Sequence, residues 1–289
     1  MIARLVAAAA LVGFTTGAAA AVPCASTHDV RAAERAATWL SRQPISGLSA
    51  GQLADSIVAL RATGRRPAAL RGRVRRLART APGYARTPGA AAKVVLAVRA
   101  VGGDPRRFGR TDYLRRITSG YASGRFGASA YDQALSMLAL RASGRPVPPA
   151  AVVALRRAQG QGGWGFKLRP ADTDQVDATG LILEALAASG VRPSDTTVTR
   201  AVRWMLTRRE RTGGFAVQGG RVADANSTAS AWRGLCASRR PVPATTRAFL
   251  RSLQQRDGRL HATRTSGGSS VLAVNDAIIA LRGRTLPLR

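Results

Sequence analysis

The sequence predicts an all-α protein in which about six helical hairpins stack into a closed ring. The first observation behind this prediction is an apolar segment of helical pattern that recurs six times at a spacing of about 40 residues. The second is an amphipathic segment, with arginines on one side, in front of the clearest of these apolar segments. A single hairpin cannot bury its own apolar face, so neighbouring hairpins have to stack.

The six apolar segments share a run of small and apolar residues that ends at a glycine or a basic turn. A glycine or a basic residue after the last apolar turn suits the C-terminal end of a helix. The segments are residues 56–64, 94–102, 135–144, 181–190, 228–238 and 277–283. Because they carry no charged face of the usual amphipathic kind, we expect these helices on the inside of the ring.

The amphipathic segments are expected on the outside, with their arginines in solvent. The clearest examples are residues 36–43, 151–159, 201–209 and 246–254, while residues 71–79 carry so many charges that the second repeat is the weakest match. Neither end shows a polar capping repeat, which favours closure over an open array. The sequence therefore predicts one domain over residues 22–289, an (α/α)6 toroid.

The first residues have the pattern of a secretory signal peptide. Arg4 is followed by the apolar residues 5–14 and then by the small residues 18–20, which resemble a cleavage site. We assign residues 1–21 to the signal peptide. The apolar run is shorter than the roughly 20 residues that span a bilayer, and no later run is longer. We therefore expect a secreted protein with no integral membrane segment.

The net charge of +30 comes almost entirely from arginine and is spread over all segments. A field of this sign would attract an anionic cell-envelope surface. The alternative, which we favour, is that the arginines cover solvated helix faces. We expect no nucleic acid partner, because no basic stripe is interleaved with stacking aromatic residues.

Cys24 and Cys236 are the two cysteines of the chain. In an exported protein such a pair suggests a disulfide. Closure of the ring would bring the N-terminal end of the chain beside the last hairpins, so these distant positions can meet.

A turn in the fourth repeat resembles a known motif. Residues 155–159 lead through Gly162 and Gly163 into Trp164, and the fifth repeat has a related plan at residues 213–215. The pattern resembles the QW repeat of squalene and hopene cyclases, within the terpenoid cyclase and protein prenyltransferase α/α-toroid superfamily. We expect the glycine pair to allow a chain reversal with positive φ, and Gln159 to hydrogen-bond to helix ends.

The resemblance implies where catalysis would lie. The cyclases of this family that begin by protonating their substrate carry an Asp-x-Asp-Asp-Thr-Ala motif, and alignment on Thr179 leaves Asp177 at the position of the proton donor. Without a neighbouring carboxylate, Asp177 would be a poor acid. Because Asn226 is its counterpart in the fifth repeat, we favour a helix cap over catalysis. Asp172 and Asp174 are further catalytic candidates, as an acidic cluster with Asp177 at the mouth of the ring.

Two aromatic residues are candidates to contact a ligand inside the ring. Trp232 is in the inner helix of the fifth repeat and Tyr131 begins that of the third, although we favour core packing over ligand contact for either residue. The zinc-binding Asp, Cys and His of the related prenyltransferases have no matching set here. We therefore expect no metal and no cofactor.

The sequence leaves both enzyme and binding protein open. We favour an exported, non-catalytic repeat protein that binds an apolar or isoprenoid ligand, or a partner in the cell envelope. One alternative is a terpene cyclase-like enzyme with Asp177 as a degraded proton donor. The other is an arginine-rich scaffold that docks on anionic cell-envelope surfaces.

Overall fold

The computed structural model describes residues 24–217, 222–266 and 270–288. Within these ranges the chain forms twelve α-helices and no strand, so the all-α prediction is confirmed. The expected signal peptide, residues 1–21, lies outside the described residues. The helices are α1 (Thr27–Arg42), α2 (Ala50–Ala62), α3 (Arg71–Tyr84), α4 (Pro88–Ala100), α5 (Tyr113–Thr118), α6 (Ala130–Ala142), α7 (Pro149–Ala158), α8 (Val176–Ala188), α9 (Thr196–Thr207), α10 (Ala225–Ala237), α11 (Ala244–Ser252) and α12 (Val271–Leu281).

The even-numbered helices enclose a common centre. Helices α2, α4, α6, α8, α10 and α12 contact one another in this order, and α12 also contacts α2. We call these six the inner helices. The odd-numbered, outer helices lie against them: α1 contacts α12 and α2, α3 contacts α2 and α4, and α9 contacts α8 and α10. The contacts between successive inner helices therefore form a closed cycle.

Glycines end most of the inner helices, as the sequence predicts. Gly64, Gly102, Gly144, Gly190 and Gly283 each follow an inner helix, with φ between 62° and 86°. Glycine adopts this left-handed conformation without the steric cost that a Cβ would impose. These glycines therefore mark the ends of their helices by conformation as well as by position.

The turn around Trp164 connects the end of the outer helix α7 to the next outer helix, α9, through hydrogen bonds. The Gln159 side-chain amide donates to the carbonyl oxygens of Gly162 at 2.7 Å and Thr197 at 2.9 Å. The Trp164 indole, fully buried, donates to the Leu155 carbonyl at 2.7 Å. The prediction of positive φ for the glycine pair is wrong, because neither Gly162 nor Gly163 has a positive φ. Glycine is required there because a Cβ on either residue would collide with the Trp204 side chain.

The two ends of the described chain meet. The Gln254 side chain in the last repeat donates to the Ala32 carbonyl at 2.9 Å, and Arg251 forms an ion pair with the buried Asp29. Cys24 and Cys236 form a disulfide with their Cα atoms 5.7 Å apart. The first and last outer helices are thus joined by side-chain bonds.

Helices α8 and α10 approach closely at a pair of glycines. A Cβ on Gly180 would collide with the Ser230 carbonyl, and one on Gly234 would lie 2.8 Å from the Cα of Gly180. Because the two backbones pack without intervening side chains, the residues that flank this contact keep a defined position relative to each other. No helix in the described part of the chain is long and apolar enough to cross a bilayer.

Candidate functional site

The inner helices surround a central cavity of about 250 Å³. Each of the six inner helices contributes to its wall, and Leu286 near the C-terminal end covers one side. Side chains at i, i+4 and i+7 lie on one face of a helix, so each inner helix presents a stripe to the centre. The cavity is therefore lined by successive levels of side chains.

The level nearest the helix starts is formed by the second residue of four inner helices: Tyr131, Asp177, Asn226 and Leu272. The next level is formed by the sixth residue of every inner helix: Asp55, Lys93, Leu135, Leu181, Ser230 and Asp276. The deepest level uses the ninth residue, where Val58, Leu96, Arg233 and Ile279 line the cavity. Every inner helix except α10 thus contributes an aliphatic side chain to the wall, and every one except α6 contributes a charged side chain.

Lys93 and Asp55 form the first of the ion pairs in the cavity. The Lys93 ammonium lies 2.8 Å from the Asp55 carboxylate across the contact between α4 and α2. Burial raises the pKa of Asp55, and Lys93 counteracts this shift. Burial would lower the pKa of Lys93, but the charge and hydrogen bond of Asp55 outweigh it and raise this pKa to about 12. The Lys93 charge is therefore already matched by Asp55.

Arg233 forms the second group of ion pairs, between two carboxylates. Its Nη1 lies 3.0 Å from Asp276 Oδ1, and its Nε lies 3.3 Å from Glu184 Oε2 without hydrogen-bond alignment. The Glu184 side chain is fully buried, and burial raises its pKa. The second oxygen of each carboxylate accepts a hydrogen bond. The Leu286 N–H donates to Glu184 Oε1 at 2.8 Å, and the Asn226 amide donates to Asp276 Oδ2 at 2.8 Å.

Asp177 differs from the other carboxylates because no cation pairs with it in the described structure. Its Oδ1 has no hydrogen-bond partner, and the hydroxyl of the nearby Ser227 donates to Asp224 at 2.8 Å. Burial raises its pKa to about 6, and the charges of Asp224 and Asp276 add to the shift. Burial also raises the pKa of the neighbouring Tyr131, with a contribution from the charge of Asp177. A proton therefore stays on Asp177 to a higher pH than on an ordinary aspartate.

The helix-cap interpretation of Asp177 is wrong. The residue at the N-cap of α8 is Gln175, and Asp177 is one of the residues that face the cavity. In α10 the N-cap is Asp224, which accepts the Ser227 N–H at 2.8 Å, and Asn226 reaches Asp276 instead. Both positions are the second residue of their helix and contribute to the cavity.

Asp172 and Asp174 are not brought together with Asp177. Asp172 accepts the Lys167 N–H at 2.6 Å, and Asp174 accepts the Gly163 N–H at 2.8 Å, so both hold the loop after Trp164 in place. They line a separate surface hollow beside Trp204. The expected acidic cluster of the three aspartates does not form, because only Asp177 is on the inner face of α8.

The two aromatic candidates have different surroundings. Tyr131 lines the cavity, with its ring centre 5.9 Å from that of Phe166. Trp232 does not line it: the side chain is fully buried and its indole donates to the Cys24 carbonyl at 2.8 Å. The guanidinium of Arg247 covers the ring at 5.7 Å. The expectation that Trp232 contacts a ligand is therefore corrected, because its position on α10 turns it towards the N-terminal segment.

Asn275 is a cavity residue that the sequence analysis missed. It is 1% exposed, yet neither its amide oxygen nor its amide nitrogen has a hydrogen-bond partner. Other missed residues share one signal, a polar side chain within an otherwise apolar inner helix: Asp55, Lys93, Glu184, Arg233 and Asp276. Among the described residues no group of His, Cys, Asp and Glu side chains could hold a metal ion.

Replacing Asp177 with asparagine is expected to stabilise the protein at neutral pH and to leave it unchanged near pH 4. The folded-state pKa of about 6 exceeds the ordinary value of 3.8, so the folded protein binds this proton more tightly than the unfolded chain. The contribution of Asp177 to stability is full below pH 3.8 and is lost as the pH rises through about 6. Urea unfolding should show the variant gaining on the order of 2 kcal/mol over the wild type above pH 6.

The control for this prediction is Asp257→Asn, because the side chain of Asp257 is 52% exposed. We expect the free energy of unfolding of that control to equal that of the wild type at every pH. A stability difference for Asp177→Asn that does not change with pH would contradict the buried, proton-retaining state of this carboxyl.

Comparison with known proteins shows a likeness of fold. No protein-family model and no curated protein matches this chain. Among solved structures, the type II terpene cyclase MstE from Scytonema, as a variant in complex with its substrate geranylgeranyl dihydroxybenzoate, matches with a TM-score of 0.63 at 13% identity over 89% of this chain and 97% of that chain. Its apo form matches with a TM-score of 0.62 over the same shares and at the same identity.

A second solved protein is less similar. The ent-copalyl diphosphate synthase from Streptomyces platensis gives a TM-score of 0.49 at 18% identity over 81% of this chain and 50% of that chain. The likeness to MstE is nevertheless clear, and this chain has the fold of type II terpene cyclases. This agrees with the resemblance that the turn around Trp164 indicates.

Proposed function

We propose that this protein is a six-hairpin α/α toroid that binds a short, mostly apolar ligand in its central cavity and does not cyclise it. The observation that carries the proposal is the cavity wall, which combines aliphatic side chains from five of the six inner helices with cations that are already paired with carboxylates. Concave pockets of this kind, apolar with a few polar groups, are typical of small-molecule sites.

The size of the cavity favours a short ligand. At about 250 Å³ it falls below the roughly 300–1,000 Å³ of sites for drug-sized molecules. The ligand of MstE carries a geranylgeranyl chain. A chain that long would need more room than this wall encloses, so we expect a ligand nearer to a short isoprenoid.

The chemistry of the wall favours binding over cyclisation. Carbocations are stabilised by aromatic faces, but Tyr131 is the single aromatic residue among the described residues that line the cavity. Cyclisation by protonation also needs a strong acid, and a pKa raised to about 6 makes Asp177 weaker than an ordinary aspartic acid. Neither requirement is met by the residues of this cavity.

The export of the protein is part of the proposal. Residues 1–21 have the pattern of a secretory signal. The disulfide between Cys24 and Cys236 supports the same compartment, because disulfides persist in oxidising surroundings.

A second candidate function is an enzyme that uses Asp177 as a general acid. It is favoured by the same raised pKa, because a group that titrates near the working pH is suited to proton transfer. Incubation with linear isoprenoids separates the two functions. Cyclised or hydrated product that disappears in Asp177→Asn would support the enzyme, and unchanged substrate supports the binding protein.

The binding function is tested by calorimetric titration with geraniol, a short isoprenoid alcohol, and with the longer geranylgeraniol. We expect geraniol to bind and geranylgeraniol to bind at least tenfold more weakly. The site is checked with two matched variants: Leu181→Trp fills the cavity, whereas Leu206→Trp changes a leucine of α9 that is 40% exposed. Absence of geraniol binding to the wild type would refute the proposal.

A further inference from the structure

We infer that the cavity selects a ligand with a positively charged amino group, and that Asp177 is the counter-ion of this group. The inference rests on the proposed binding function and names the chemical class of its ligand. It begins from a charge count over the described residues in and beside the cavity. There are four carboxylates, Asp55, Asp177, Glu184 and Asp276, and two cations, Lys93 and Arg233.

The two cations are already used within the wall. Lys93 pairs with Asp55 at 2.8 Å, and Arg233 is shared between Glu184 and Asp276. Asp177 has no cation paired with it, and its Oδ1 has no hydrogen-bond partner. Asp177 is half-buried, but its Oδ1 is buried, and a buried carboxylate oxygen is costly unless it is paired. A positively charged ligand group beside Asp177 would therefore be favoured over a neutral one.

Asn275 indicates a ligand independently of Asp177. Its side chain is almost completely buried and lines the same cavity, and both of its amide atoms lack partners. Buried amides are normally hydrogen-bonded. The amide oxygen can accept from an ammonium N–H, and the amide nitrogen can donate to a hydroxyl or carbonyl group of the ligand.

The same residues disfavour an anionic ligand. A carboxylate or phosphate would enter beside carboxylates that outnumber the cations, and no unpaired cation lines the described wall to receive it. An ammonium group has the opposite effect, because it brings the charge of the cavity closer to balance. Its aliphatic part can lie against Leu96, Leu135 and Leu181, which also line the cavity.

The test compares three probes of equal length, n-hexylamine, 1-hexanol and hexanoate, by calorimetry at pH 7.5. We expect the amine to bind at least tenfold more tightly than the alcohol, and hexanoate to bind most weakly. Asp177→Asn should bring the amine and the alcohol within twofold of each other. The control Asp257→Asn, at an exposed aspartate outside the cavity, should keep the full preference.

The pH dependence provides a readout that needs no variant. A primary amine stays charged at these pH values, as lysine does. Because Asp177 takes up a proton as the pH falls through about 6, the affinity of the wild type for n-hexylamine should fall below that pH while that for 1-hexanol stays constant.

The outcomes separate this inference from the binding function beneath it. If 1-hexanol binds and n-hexylamine binds no more tightly, the inference is overturned and the apolar binding site remains. If neither probe binds to the wild type, both are overturned. If the amine binds equally well to Leu181→Trp, it binds outside the cavity, and the inference is overturned as well.

Discussion

Replacing Arg233 with methionine is expected to lower the free energy of unfolding by about 3–5 kcal/mol. The Arg233 side chain is 6% exposed and holds the fully buried Glu184 together with Asp276. Methionine fills similar space but leaves the Glu184 carboxylate without a cation, and an unpaired buried charge is far more costly than a surface one. Urea unfolding of the two proteins at pH 7 measures the difference.

The loss caused by Arg233→Met should shrink in acid. Burial already raises the pKa of Glu184, and removal of the cation raises it further. A group with a raised folded-state pKa contributes its stability below the unfolded pKa and loses it as the pH rises through the folded value. The variant should therefore be closest to the wild type near pH 4 and furthest from it at neutral pH.

Two further variants control this prediction. Arg156→Met removes an ion pair with Asp195 whose arginine side chain is 45% exposed, and it should cost at most about 1 kcal/mol. Adding Glu184→Gln to Arg233→Met should recover most of the loss, because no buried charge then remains unpaired. A loss for Arg233→Met as small as that for Arg156→Met would contradict the buried ion pairs described here.

Reduction of the disulfide between Cys24 and Cys236 is expected to lower the free energy of unfolding by about 2–5 kcal/mol. The bond joins residues 212 positions apart, so it closes nearly the whole described chain into one loop and restricts the unfolded state strongly. In the folded state it holds the segment before α1 against α10, where the Trp232 indole also bonds to the Cys24 carbonyl. Urea unfolding with and without reductant measures the contribution.

The control for the disulfide is the double variant Cys24→Ser and Cys236→Ser. The chain has two cysteines, so this variant should be insensitive to reductant and should match the reduced wild type. Titration of two free thiols in the unreduced, unfolded wild type would show that the bond does not form.

Much of the fold could be predicted from the sequence, because it is built from local signals that repeat. The apolar run before each of Gly64, Gly144 and Gly190 indicates an inner helix, and the positive φ of these glycines is the conformation that such an ending requires. Gly162 shows the limit of that reasoning. It lies in a turn as predicted, but the neighbouring Trp204 side chain, and not its own φ, makes glycine necessary.

The candidate site could be predicted only in part, because its side chains meet across repeats. Asp55 and Lys93 are 38 residues apart, Arg233 and Asp276 43, and Asn226 and Asp276 50. Each separation is about one repeat, so the pairs exist only once neighbouring hairpins have stacked in the correct register.

Asp177 shows how a position can be identified and its role mistaken. The family resemblance drew attention to it, and the asparagine at position 226 favoured a cap. The structure instead has Gln175 and Asp224 at the N-caps, two residues before the cavity residues Asp177 and Asn226. A shift of two residues at a helix start is enough to turn a side chain from the cap position to the inner face.

The central claim is that the central cavity binds a short, mostly apolar ligand, and calorimetry of geraniol with the paired tryptophan variants tests it most directly. Leu181→Trp places an indole in the cavity, while Leu206→Trp places the same group on the surface of α9. We expect geraniol to bind to the wild type and to Leu206→Trp with equal affinity, and to lose at least tenfold in affinity with a folded Leu181→Trp. Equal binding to all three proteins, or none to the wild type, would contradict it.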